Sequence, residues 1–371
     1  MIYADNAATT RLSEHAFAAM RPYLLEQYGN ASQPYSFSRP IKKALKHARE
    51  TLAECIGAYP EEIFFTSGGT ESDNWVIKSS LFLPPKKNQV ITSQIEHHAI
   101  LNSCNTIQEL GIDVKYLPVD RQGVVNPAVL RDSISENTGI VSIMYANNEI
   151  GTVEPIKELS KIAHDKGALF HTDAVQAVGH VPIDVKKLDI DLLSASSHKF
   201  NGPKGIGFLY MKKGIRIHQY ADGGSQESGN RAGTENAASI VGMAEALKEN
   251  TLRMNDQKRK LFDLEDTLIQ TLVSENLDFI RNGAERHLPG NVNISFRNAD
   301  GEMLLHRLDL MGICISTGSA CDSVNTQISH VLRAINVPEE YAKGTIRITF
   351  GADNVSLDAV KIAKSIGKIL S

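Results

Sequence analysis

No Cys-x-x-Cys pair occurs in this sequence, and its four cysteines, Cys55, Cys104, Cys314 and Cys321, lie far apart or in unrelated patterns. Neither a zinc knuckle nor a disulfide framework is therefore suggested. Long apolar runs are missing as well: Val141–Tyr145 and Ile313–Ile315 are strand-sized, far short of a membrane span. The opening Met1-Ile2-Tyr3-Ala4-Asp5-Asn6 has neither the basic nor the apolar region of a signal peptide, so a cytoplasmic location is expected. An excess of positive charge is also absent. A formal net charge of −4 leaves no footprint for direct nucleic-acid binding. Internal repeats and low-complexity linkers are not found.

What remains is a chain of 371 residues, 42% apolar and 22% charged, long enough for one large core and a smaller one. Apolar β-type runs recur at Glu62–Thr66, Gln89–Thr92, Val114–Leu117, Ile140–Tyr145, Ala168–Thr172, Ile190–Leu193 and Ile206–Met211. Helical patterns separate the first five, at Glu71–Ser80, Ala99–Leu110, Pro127–Ser133 and Ile156–Lys166. Such alternation predicts an α/β fold with a mostly parallel seven-stranded sheet covered on both faces. After Thr234 the character changes to a helix from Ala237 to about Ser274, then Asn291–Phe296, Glu302–Leu308, Thr345–Phe350 and a last helix Leu357–Leu370. A large domain over 14–255 and a smaller α+β domain built from 1–13 and 256–371 are expected. Cys55 and Cys104 fall at helical spacing among apolar residues and Cys314 in a short apolar strand, so all three read as packing. Cys321, in the small-residue loop 316–326, reads as a reachable thiol.

In a parallel sheet, ligands gather outside the carboxyl ends of the strands. After Thr66 comes Ser67-Gly-Gly-Thr-Glu-Ser72, a glycine turn into a helix that suits a phosphate. His97 follows the next strand, and Ala146-Asn-Asn-Glu-Ile-Gly151 follows Tyr145. Asp173 closes another, where an unpaired carboxylate would be costly to bury. Ser196-Ser-His-Lys199 follows Leu193 and sets a lysine in a glycine-rich turn between two core strands, a place where an amine can serve as an imine-forming nucleophile. A phosphate cradle (Gly69, Thr70), a carboxylate (Asp173), a flat ring (His97) and an imine lysine (Lys199) together match what pyridoxal phosphate requires.

The chain also resembles the cysteine desulfurases of the class V aminotransferase family, in their NifS/IscS-like branch. Tyr3-Ala-Asp-Asn-Ala-Ala-Thr-Thr10, Phe65-Thr-Ser-Gly-Gly-Thr-Glu-Ser72, Asn147-Asn-Glu-Ile-Gly151, His171-Thr-Asp-Ala-Val-Gln176, Ser196-Ser-His-Lys199, Arg231-Ala-Gly-Thr-Glu-Asn236 and Gly318-Ser-Ala-Cys321 carry the likeness nearly end to end. The resemblance implies the type I fold of pyridoxal-phosphate-dependent transferases and conversion of L-cysteine to L-alanine. It implies that Lys199 forms the imine and later moves the substrate proton, that Asp173 pairs with the ring nitrogen and that His97 stacks on the ring. Gln176 would bond the phenolic oxygen. Gly69, Thr70, Ser196 and His198 would hold the phosphate, with Thr234 supplied by the second subunit of a homodimer. Asn148 and Arg347 would bind substrate, and Cys321 would take the sulfur as a persulfide and pass it to an acceptor protein, an iron–sulfur scaffold or a tRNA-thiolation enzyme. No metal is implied. Gly29-Asn-Ala-Ser-Gln-Pro-Tyr35 and Gly223-Gly-Ser-Gln-Glu-Ser-Gly229 depart from the common pattern and leave the acceptor open.

Rival expectations are a selenocysteine lyase or another class V aminotransferase, which keep the fold and cofactor. More distant is a mononuclear iron enzyme, since His171-x-Asp173 with a remote histidine has the spacing of a two-histidine, one-carboxylate site.

Overall fold

The computed structural model describes residues 1–317 and 328–371. Cys321 and most of the expected 316–326 loop lie outside the described residues. In chain order the strands are β1 (Ile2–Tyr3), β2 (Ile63–Thr66), β3 (Gln89–Ser93), β4 (Asp113–Leu117), β5 (Thr138–Ser142), β6 (Leu169–Asp173), β7 (Leu192–Ser196), β8 (Gly207–Met211), β9 (Phe279–Asn282), β10 (Asn291–Phe296), β11 (Ile313–Cys314) and β12 (Thr345–Thr349). Seven of them form one sheet in the order β2-β8-β7-β6-β5-β3-β4. All its pairings are parallel except those of β8, which runs against both β2 and β7. The mostly parallel seven-stranded sheet expected of the α/β pattern is what forms.

Every residue of β2, β5, β7 and β8 is buried, as a sheet covered on both sides requires. The period-two geometry of a strand sends neighbours to opposite faces. Phe64, Val90, Ile140, Leu192 and Leu209 pack against the helices Gly69–Ser79 and His98–Glu109 through Trp75, Ile77, Ile100 and Cys104. Phe65, Ile91, Val141, Leu193 and Phe208 pack the other way, on Leu45, Leu52, Leu159 and Met243. Cys104 is thus a core residue.

A separate apolar cluster joins Ile2 and Ala4 to β10, β12 and the last helix, Ser356–Leu370. The 38-residue helix Ala237–Ser274 serves both: Ile240, Met243 and Leu247 belong to the first core, Leu261, Leu264 and Leu268 to the second. We propose that the division between the two units falls near residue 255, inside this helix, with 1–13 joining the second unit.

Two of the expected strands are displaced by more than one residue. The ladder of β5 ends at Ser142; residues 143–145 run on extended, with Ile143 and Tyr145 N–H donating to the carbonyls of His171 and Asp173. β7 extends through Ser194 and Ser196, because hydroxyls that find partners can occupy the sheet centre. The helix Glu14–Leu25, with Pro22 in its last turn, has no counterpart in the apolar pattern.

β6 is tied at its start by a charge cluster. Asp191 accepts from the Phe170 N–H at 2.9 Å, and His164 bonds Asp191 at 2.7 Å and Asp189 at 2.9 Å. The bond to Asp191 raises the His164 pKa above its ordinary value. A group whose folded-state pKa is raised contributes its full stabilisation below the unfolded value of about 6.5 and loses it as pH climbs through the folded value. Thermal melts of wild type and His164→Ala should therefore differ most below pH ~6.5 and converge at alkaline pH. A constant difference across that range would contradict this.

Candidate active site

Six of the seven sheet strands point their carboxyl ends the same way, and the polar residues that follow them line one cavity of about 330 Å³. Gly69 and Thr70 open the helix behind β2. Gly68 there has φ 152°, and a Cβ on Gly69 would come within 2.4 Å of Val175 Cγ2, so this turn requires glycine. Gly69 and Thr70, at the N-terminus of that helix, line the cavity, where a helix start can receive an anion. His97 is not at the end of β3, as expected, but four residues beyond, where its Nδ1 caps the helix His98–Glu109 by accepting from Ala99 N at 3.1 Å. Asp173 is the last residue of β6, and Ser196 the last of β7. Lys199 ends the single turn Ser197–Lys199 that follows.

The N-terminal segment closes the cavity. Lys199 Nζ donates to the carbonyls of Ala7 at 2.6 Å and Ala8 at 2.9 Å, and Gln176 Nε2 donates to Ala7 at 3.0 Å. His198 Nδ1 pairs with Thr9 Oγ1 at 3.1 Å. On the opposite wall, Arg347 of β12 donates from Nη1 to the Asn148 carbonyl at 2.8 Å and from Nη2 to Asp5 Oδ1 at 2.7 Å.

Burial decides the electrostatics. It pushes the His97 pKa down to about 4, with help from the charge on Lys199, so the ring is neutral. His198 falls to about 4 for the same two reasons, burial first. Asp173 Oδ1 accepts from Val175 N at 2.9 Å, yet burial still raises its pKa, and the neighbouring charge on Lys199 only partly offsets this. Asp73 lies close by and is raised further, by burial and then by Asp173. Glu96, fully buried behind them, is pushed up to about 8 by desolvation.

The cavity brings together Gly69, Thr70, His97, Asn148, Asp173, Gln176, Ser196, His198, Lys199 and Arg347. Thr234 does not line it and is exposed. His171 also stays out of the lining. Its two ring nitrogens bond Ser142 Oγ at 2.8 Å and Ser194 Oγ at 3.0 Å, which removes the donor an iron site would need. Among the described residues no His/Cys/Asp/Glu group is arranged to hold a metal. The sequence reading did not single out Asp5, Asp73, His98 or His330; the last three line the cavity too. The donor set fits pyridoxal phosphate: an anion cradle no side chain can fill, a buried carboxylate facing the same space, a neutral imidazole and a primary amine.

Residues 2–360 match the aminotransferase class-V family. The chain is 50% identical over 352 residues to cysteine desulfurase IscS of Dictyoglomus turgidum, covering 94% of this chain and 89% of the relative. A solved structure of a NifS-like protein superposes with a TM-score of 0.94 at 36% identity, over 100% of this chain and 99% of that one. A second, described as SspA in complex with cysteine, gives 0.85 at 33% identity over 96% and 100%.

Proposed function

The chain belongs to the aminotransferase class-V family and is a pyridoxal-phosphate-dependent cysteine desulfurase; from that premise we propose which residues do the work. The carrying observation is that a carboxylate ending β6, a lysine in the turn after β7 and a neutral imidazole capping a helix line one cavity with a glycine cradle. When bound, pyridoxal phosphate supplies an electron sink that stabilises negative charge at Cα and lets the Cβ–S bond break. Gly69, Thr70, Ser196 and His198 hold its phosphate, and Thr234, exposed on its own chain, reaches the site of a second copy in a homodimer. Gln176 has one amide hydrogen committed to Ala7 and offers the other to the phenolic oxygen. Asp173 keeps the ring nitrogen protonated, and His97 covers the ring with an uncharged face.

Lys199 is the tether and the proton carrier. Two backbone carbonyls bind its ammonium without neutralising it and can release it. As a free amine, its Nζ would take the Cα proton of L-cysteine. Arg347 and Asn148 hold the substrate carboxylate. Cys321 would attack the substrate sulfur as thiolate; a sulfur–sulfur bond forms as the Cβ–S bond breaks, the bonding pair stays on Cβ, and a proton taken up there and one returned to Cα by Lys199 Nζ complete alanine, leaving a persulfide on Cys321. Both flanks of its segment approach the site: Ser316 pairs with Arg347, and His330 lines the cavity. A sulfur-acceptor protein, an iron–sulfur scaffold or a tRNA-thiolation enzyme, then takes the sulfur in the cytoplasm.

Asp173→Asn tests the assignment. Turnover of L-cysteine should fall about a hundredfold or more, the scale of losing one preorganised electrostatic partner, while cofactor content stays near stoichiometric. Near-normal turnover would remove Asp173 from this role.

A further inference from the structure

Arg347 is 3% exposed and its guanidinium has five N–H bonds, of which Nη1 spends one on Asn148 and Nη2 one on Asp5. Nε is buried without a hydrogen-bond partner among the described residues. A buried charged N–H left unpaired is costly, so the bonds to Asn148 and Asp5 are what hold the guanidinium in place where Arg347 joins the cavity lining. A planar carboxylate meets a guanidinium edge through two parallel bonds. The α-carboxylate of an amino acid in this cavity is such a group.

We propose that Asp5 is a positioning residue of the substrate pocket: it pins Arg347 so that the guanidinium meets the substrate carboxylate in one fixed orientation. This rests on the reading of Arg347 as the carboxylate site. Asp5 is well placed for the task. Its backbone pairs with Thr349, two residues from Arg347 along β12, and Tyr3 donates its hydroxyl to the Asp5 carbonyl at 3.0 Å. The same segment supplies the Ala7 and Ala8 carbonyls that hold Lys199 and the Thr9 hydroxyl that meets His198. One stretch of chain thus sets both the cation that reads the substrate and the amine that reacts with it. Without Asp5 the guanidinium keeps only the bond to Asn148 and can pivot about it.

A second carboxylate beside Arg347 has an opposite effect in principle, because it repels the incoming one. The two effects differ in sign, and the holoenzyme decides between them. L-Alanine and L-alaninamide are bound and followed by the change in cofactor absorbance, and KM and kcat for L-cysteine are measured alongside. With Asp5→Ala, the KM for L-cysteine and the Kd for L-alanine should rise about tenfold, the scale of one hydrogen bond to a charged group. kcat should stay within about threefold, as expected when only substrate binding is lost. Asp5→Asn keeps an acceptor for Nη2 and should recover most of the loss. Binding of L-alaninamide, which has no carboxylate, should not move. A fall in KM in both variants, no change in either, or an equal effect on L-alaninamide would overturn the proposal. Arg347→Gln separates the premise: if it leaves L-alanine binding intact, Arg347 is not the carboxylate site, whereas a large effect there with a silent Asp5→Ala removes Asp5 alone. The cofactor absorbance of each variant reports that the site has folded.

Discussion

Lys199→Ala should purify without the imine absorbance of the wild-type enzyme and should form alanine from L-cysteine at less than about a ten-thousandth of the normal rate. Loss of a positioned proton carrier alone costs up to about 10⁴-fold, and the tether is lost with it. The fold should survive. Lys199 closes a single turn after β7, and its ammonium is held by two backbone carbonyls that can turn to water once it is gone. Asp173 at the end of β6, His97 at a helix cap and the glycine cradle at a helix start belong to other segments and do not depend on it. Added pyridoxal phosphate should still bind, reversibly, through the cradle and Asp173. Borohydride should then fix no cofactor to the chain. A covalent adduct in Lys199→Ala would assign the tether to another lysine.

Cys321→Ser separates cofactor and substrate binding from turnover. The variant should hold cofactor with the wild-type absorbance and still bind L-cysteine, because every cavity residue is intact. Alanine and transferable sulfur should both fall by about a thousandfold or more, the order expected when a nucleophile is removed. Serine keeps the size of the side chain but not its thiolate, which is the competent form. Two of the remaining thiols are poor substitutes: burial pushes Cys104 up to about 12 and raises Cys55. An unchanged rate of sulfur release would remove Cys321 from the reaction.

Much of the scaffold was legible in the sequence. Phe64 and Phe65, Val90 and Ile91, Ile140 and Val141 face opposite sides of the sheet, so the strands read as continuous apolar runs rather than as alternation. The polar residues after each run were then the natural place to look, and Gly69, Asp173, Ser196 and Lys199 all line the cavity. What escaped had no local signal. Asp5 and Arg347 are 342 positions apart, and nothing within either segment marks them as a pair. Asp73 sits on a short helix among residues that look like an ordinary polar face, and only its burial, at 1% exposure, distinguishes it. Ser194 and Ser196 interrupt the apolar run that the eye follows, so β7 was read as ending early. Thr234, exposed on its own chain, is drawn toward a cofactor only by the resemblance.

The central claim is that sulfur leaves L-cysteine at the Lys199 cavity and is received by Cys321. It is tested most directly by adding isotopically labelled L-cysteine to the wild-type holoenzyme, digesting under non-reducing conditions and weighing the cysteine peptides. One labelled sulfur atom on the Cys321 peptide, matched by an equivalent amount of alanine, is the predicted result. Label on Cys55, Cys104 or Cys314 instead, or alanine formed while Cys321 stays unlabelled, would contradict it.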